Sequence, residues 1–347
     1  MLRFLRQLRR ELNQKLVPKH RRQFLRSRVN RTSSEALETR TLLAVDFELL
    51  KDINTIPTAT GSNPVYFTTI GDVTYFAATT TTHGAELWKS DGTTNGTVLV
   101  KDIRPGGSSP NLTYLTDVNG TLFFSANDGV NGYELWKSDG TANGTGLVKD
   151  IRAGSSGAKP RHLTNVNDTL FFMANDGTNG YELWKSDGTA NGTVLVKDIL
   201  PGSGHAAPHY LTNVNGMLFF SANDGTGGYE LWRSDGTPNG TVIVDDISVG
   251  SNGANPASLK NVNGTLLFRA DDGVHGYELW RSDGTANGTV LVKDIRAGSG
   301  RAFPGDLTNV NGTLFFSAND GVHGYNVWKS DGTTNGTVLV NGNSAGS

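Results

Sequence analysis

Glu134-Leu135-Trp136-Lys137-Ser138-Asp139-Gly140-Thr141 decides the fold, because the chain keeps returning to it. The phrase is spelled in full again at residues 86–93 and 182–189, carries Arg for Lys at 230–237 and 278–285, and becomes Asn326-Val327-Trp328 at its sixth place. All six tryptophans of the 347-residue chain lie in it, Trp88, Trp136, Trp184, Trp232, Trp280 and Trp328, always 48 residues apart. A fixed period of this size marks a repeat architecture, in which each unit buries its faces against its neighbours.

Outward from the phrase, one unit reads as four strands. Residues 112–118 and 121–126 flank Asn119-Gly120, a strong hairpin signal. Asn127-Asp128-Gly129-Val130-Asn131-Gly132 is a turn-rich loop into the third strand, Tyr133 to Ser138. Asp139-Gly140-Thr141-Ala142-Asn143-Gly144 then turns the chain into a fourth strand, residues 145–151. The second and fourth strands are apolar at both alternating sets of positions, so both faces of the meander must be covered. Stacking such units around an axis predicts an all-β, six-bladed propeller of four-stranded antiparallel blades over residues 46–347. A seventh copy of the fourth strand, Phe47-Glu48-Leu49-Leu50-Lys51-Asp52-Ile53, is expected to close the ring by joining the sixth blade.

Composition narrows the function classes. No cysteine is present, which removes disulfides, thiolate nucleophiles and Cys-ligated zinc. The net charge of -2 hides a basic leader: residues 1–31 hold eleven Lys and Arg against Glu11 alone. The remaining body is acidic, which argues against binding nucleic acid through its phosphates. Leu5, Leu8, Leu12 and Leu16 recur at helical spacing among arginines until Pro18, so residues 1–45 read as a basic helical or disordered leader that serves export.

Two resemblances add to this reading. The stretch Ser34-Glu35-Ala36-Leu37-Glu38-Thr39-Arg40-Thr41-Leu42-Leu43-Ala44 is similar to the Leu-Glu-x-Arg-x-Leu-Leu element that follows a basic leader in exported planctomycete proteins. The six units resemble the ELWxxDGT repeat proteins of planctomycetes and other bacteria, with departures at Asn326 and Val327 and at Thr79-Thr80-Thr81 in the first unit. Together these imply a secreted or cell-surface protein and carry no established reaction or ligand.

Candidate sites are then weighed unit by unit. The tryptophans read as packing residues, and Asp91, Asp139, Asp187, Asp235, Asp283 and Asp331 as turn residues. Asp128, Asp176, Asp224, Asp272 and Asp320 sit in short oxygen-rich loops that could take calcium, yet the full calcium-loop spacing is missing, so turn chemistry is the preferred reading and no cofactor is expected. His83, His275 and His323 occupy one equivalent loop position and read as polar loop residues. Catalysis by a carboxylate pair needs two unlike partners, whereas repeats supply copies, so no catalytic residue is assigned. The units differ most in the connections between the fourth strand and the next first strand. Arg104, Lys159, Arg161, His162, His205, His209, Tyr210, Arg301 and Phe303 lie there, and loops on a rigid scaffold are where binding resides. The expectation is a monomeric, non-enzymatic binding or structural module for an extracellular glycan or protein, without nucleic acid, transmembrane helix or cofactor. A hydrolase or lyase acting on carbohydrate from the same rim is the alternative.

Overall fold

Each octapeptide folds as a strand running into a clasped turn, and the clasp explains the spelling. In the second unit Asp139 Oδ1 accepts from the Thr141 N–H and hydroxyl, and the Thr141 hydroxyl accepts from the Gly144 N–H. Thr145 closes the turn by donating to the Thr141 carbonyl at 2.6 Å, while Ser138 and Thr145 share a buried hydroxyl–hydroxyl bond. Gly140 sits at φ +86°, where side chains are strained, and the Tyr75 hydroxyl of the preceding unit stands against the place a Cβ would take, so glycine is favoured there. The set recurs in every unit, so the motif's polar half is turn chemistry.

The computed structural model describes residues 49–54, 61–250 and 253–340. The basic leader and its export-like element lie outside the described residues. Among those described there are six separate four-stranded antiparallel sheets, each a meander in sequence order, and no helix. In the second blade the strands are Thr113–Val118, Thr121–Asn127, Tyr133–Ser138 and Gly146–Lys149. The Asn119-Gly120 turn has φ of 49° and 82°, the left-handed pair that a two-residue hairpin needs. First strands of successive blades pack on one another, so they line the axis of a six-bladed β-propeller.

The core lies between blades, as five copies of one junction. Between the second and third blades, Val118, Phe123, Leu135, Val148 and Ile151 meet Leu163, Leu170, Phe172, Ala174 and Trp184. Leu135 thus serves the junction ahead of its blade and Trp136 the one behind. Polar clamps cross the same seams. Lys101, Lys149, Lys197 and Lys293, in the outer strands, donate to the carbonyls of Thr145, Thr193, Thr241 and Thr337 in the following blade. Near the axis the Asn165, Asn213, Asn261 and Asn309 side-chain amides each donate to a carbonyl one blade back.

Closure differs from expectation. Lys51 donates to Thr97 O at 2.7 Å and Thr94 donates to Leu50 O, as Thr334 does to Val292 O, so residues 50–53 occupy the outer-strand position of a blade preceding the first. The sixth blade meanwhile has its own outer strand, Val338–Leu339, paired to Trp328 and Lys329. In a closed ring both segments would claim one place. Among the described residues the inner strands Gly305–Val310 and Val65–Ile70 do not pack on each other as the other neighbours do.

Candidate functional site

The rim that carries the unequal loops is built by two backbone pins per unit. Lys159 N donates to Tyr133 O and Asn175 N to Ala158 O, which lays each inter-blade connection across the neighbouring hairpin loop. Residues 159, 207, 255 and 303 are thereby held at left-handed φ near 50°. The second residue of each inner strand is left-handed too, at Tyr66, Tyr114, His162, Tyr210, Ser258 and Asp306, beside a register shift in the ladder. Bulky residues at such φ are strained outliers that the pinned surroundings must hold.

Buried glutamates anchor these connections. The Glu134 carboxylate accepts from the backbone N–H of Ile151, Arg152 and Ala158 and has no exposed surface. Burial raises Glu134, Glu182, Glu230 and Glu278 to about 7 and Glu86 to about 8, the hydrogen bonds opposing the rise and the nearby Asp102 adding to it at Glu86. They are scaffold groups, closed to any ligand.

On this base the rim assembles aromatic and cationic side chains. Tyr114, His162, His209 and Tyr210 form a row across the second, third and fourth blades, with ring centroids 5.8, 5.1 and 6.4 Å apart. His162 Nε2 and His209 Nδ1 are 3.1 Å apart. Burial, then His209 and Arg161, hold His162 down to about 4, and burial with Arg161 lowers His209, so the pair is neutral at pH 7 and one ring donates to the other. Arg161 lies over Tyr181 at 5.8 Å, and His205 stands edge-on to the same ring while accepting the Tyr181 N–H. A cleft of about 420 Å³ opens beside them, lined by Tyr114, Tyr133, Lys159 and Arg161. A second, of about 340 Å³, lies between His209, Tyr210, Tyr229, Arg269 and Tyr277.

Lys159, Arg161, His162, His205, His209 and Tyr210 therefore belong to one neighbourhood. Arg301 and Phe303 form another around Tyr277, where Arg301 lies 5.3 Å from the ring centroid and 3.6 Å from Asp271, and Phe303 stacks at 5.2 Å. Arg104 joins neither group; its guanidinium rests against Gly129. Sequence reasoning missed Tyr133, Tyr181, Tyr229 and Tyr277, because each immediately precedes the repeated phrase and recurs with it, and also Arg269. Position 269 was legible: equivalent places hold Ser125, Met173, Ser221 and Ser317.

The five candidate calcium aspartates spend their oxygens locally. Asp128 Oδ1 accepts from Val130 N and Asn131 N, and Oδ2 from the Asn131 amide. Asp176 repeats this pattern, and Asp272 and Asp320 do so with His275 and His323 Nδ1 in place of the amide, whereas Asp224 is held by Thr226. His83, with no aspartate there, bonds to Thr80 and Thr82 instead. Among the described residues no helix is long and apolar enough to cross a membrane.

No protein-family model matches the chain, and neither does any curated protein. Solved structures do match. A structure from an analysis of two prolyl endopeptidases and the role of inter-domain dynamics in their catalysis and specificity aligns over 80% of this chain and 42% of that one, at 12% identity and a TM-score of 0.52. A puromycin hydrolase aligns at 13% identity and TM-score 0.45, over 82% of this chain and 47% of its own. A puromycin-hydrolyzing peptidase of Mycobacterium tuberculosis aligns at 11% and 0.43, over 80% and 46%. The chain thus spans less than half the length of these proteins, and the likeness is one of fold. The expectation of a non-enzymatic binding or structural module is corrected by this finding, since the solved structure that shares the fold is that of an endopeptidase.

Proposed function

We propose that this chain is the propeller scaffold of a hydrolase and that its rim from the second to the fifth blade receives the substrate. The observation that carries the reading is the neighbourhood in which a cleft lined by Tyr114, Lys159 and Arg161 lies beside the His162–His209 pair, the part of the rim where unlike units bring unlike chemistry together. Tyrosine faces suit a prolyl ring, Lys159 and Arg161 suit a carboxylate, and the neutral imidazole pair suits a peptide group. An oligopeptide is therefore the substrate class, in keeping with the endopeptidases whose propeller this fold is similar to. Membership of the ELWxxDGT repeat proteins and export to the cell surface complete the proposal, and cell fractionation tests the latter.

The direct test titrates the full-length chain with fluorescent proline-containing oligopeptides and with dye-labelled polysaccharides. Binding of the peptides is expected, weakened by about tenfold in Arg161→Ala, the worth of one contact of about 1.4 kcal/mol. Binding of polysaccharide alone would overturn the peptide assignment, and binding of neither would overturn the substrate-receiving rim.

A further inference from the structure

Building on the oligopeptide-receiving rim, we propose that it holds two equivalent carboxylate clefts, one at the seam of the second and third blades and one at the seam of the fourth and fifth, and that the ligand is an acidic peptide with two Asp or Glu residues about five positions apart. Tyr114 and Tyr210 take the same place in their units, and each lines one cleft with its side chain exposed and its backbone at a left-handed φ of 57°. Ser125 and Ser221, likewise equivalent, line the clefts from within. Each is 2% exposed, and neither hydroxyl has a hydrogen-bond partner among the described residues. Each cleft then takes one guanidinium from the following blade, Arg161 in the first and Arg269 in the second.

The two arginines are not copies of one another. Arg161 stands on the first strand of its blade opposite Met173, whereas Arg269 stands on the second strand of its blade opposite Ala257. The cation has changed strands, yet each guanidinium lies over the third-strand tyrosine of its own blade, 5.8 Å from the centroid of Tyr181 and 5.5 Å from that of Tyr277. What the two seams share is therefore the place of the charge, which simple duplication of a unit does not produce. Among the described residues neither guanidinium has a carboxylate within salt-bridge reach, and Arg269 Nε is buried without a hydrogen-bond partner. Arg301, the other cation at Tyr277, is already paired with Asp271. At the seam between the clefts Met173 stands in the serine's place and the neutral His162–His209 pair in those of tyrosine and arginine. A guanidinium beside a free hydroxyl meets a carboxylate with charge-assisted hydrogen bonds, and tyrosine faces cover the aliphatic part of the acidic side chain. Packed sheets lie about 10 Å apart and extended chain rises about 3.3 Å per residue, so clefts two seams apart, roughly 15–20 Å near the axis, are spanned by about five residues.

The test titrates the full-length chain, by fluorescence anisotropy, with a labelled proline-containing peptide that carries two glutamates about five positions apart, with versions in which one or both are glutamine, and with a labelled oligouronate as an anionic glycan. The two-acid peptide should bind about tenfold more tightly than either one-acid version, the worth of one charge-assisted contact. Arg161→Gln and Arg269→Gln should each weaken it by a similar factor. Replacing one glutamate should then make one of these variants silent while the other keeps its effect. Arg104→Gln, on the same rim but in neither cleft, should change nothing, and an equal loss there would make the attraction diffuse and overturn the paired clefts. Equal binding of the acidic and glutamine peptides would overturn them as well, while leaving a rim that receives oligopeptides. Binding of no peptide would remove that rim reading itself and the proposal with it. Tighter binding of the oligouronate through the same two arginines would make the occupant a glycan and overturn the peptide. The replacements in the peptide leave the protein untouched, so misfolding of an arginine variant cannot imitate their effect.

Discussion

Trp184 shows how much of this protein is decided by single side chains that repeat. It is 6% exposed, pairs across the sheet with Phe172 and packs into the junction with Leu135 and Phe123 of the blade behind. Among the described residues its indole N–H has no hydrogen-bond partner, so the residue acts through its packed area. Trp184→Ala should therefore cost roughly 3–5 kcal/mol, whereas Trp184→Phe, which loses no hydrogen bond, should cost much less. Urea midpoints of the two variants, measured side by side, check the difference. Equal losses would show that the N–H does have a partner. That the tryptophans pack was legible from their places in two-faced strands. The His162–His209 contact was not, because residues 47 apart in a repeat of 48 meet only through the offset of the register shift beside each inner strand.

At the scale of the element, the outer strand of the fourth blade is the exception that tests the rule. Its Asp245 stands where Lys101, Lys149, Lys197 and Lys293 clamp the following blade, and burial with the adjacent Asp246 raises its pKa. Asp245→Lys should both remove this repulsion and add a bond to the Thr289 carbonyl. A gain of about 0.5–1.5 kcal/mol is expected, read as a higher denaturation midpoint. No gain would mean that the lysine clamps are surface decoration. Four strands per unit could be read from Asn119-Gly120, the Asn-Asp-Gly loop and the Asp-Gly turn, since each is local chemistry. The use of the N-terminal copy could not, because Leu50-Lys51-Asp52-Ile53 carries the same letters whether it joins the sixth blade or stands before the first.

For the whole molecule, two sets of carboxyls set opposite limits on pH. Glu86, Glu134, Glu182, Glu230 and Glu278 have pKa values raised by burial to about 7 or 8, so the folded chain holds their protons more tightly than the unfolded one. Their contribution is fully present below the ordinary glutamate range and is lost as pH rises through 7 to 8. The turn aspartates Asp91, Asp139, Asp187, Asp235, Asp283 and Asp331 have lowered values, set chiefly by hydrogen bonds from the threonine two residues on. Their contribution is present above the ordinary aspartate range and fades in stronger acid. Calorimetry at constant ionic strength should place the highest Tm between about pH 4 and pH 6, with a decline toward pH 8 that Glu182→Gln makes shallower. A flat Tm across that decline would remove the buried glutamates from the account. The repetition of the junctions also bears on how the chain reaches this state. A newly formed blade finds several others that accept it equally well, and the entropy of closing twice the loop separates the next neighbour from the one after by only about 0.6 kcal/mol. Order must then be imposed by the short inter-blade connections, whose pinned left-handed residues fit one neighbour only. At high concentration the same degeneracy lets blades be exchanged between chains, so refolding yield should depend on dilution more than on temperature.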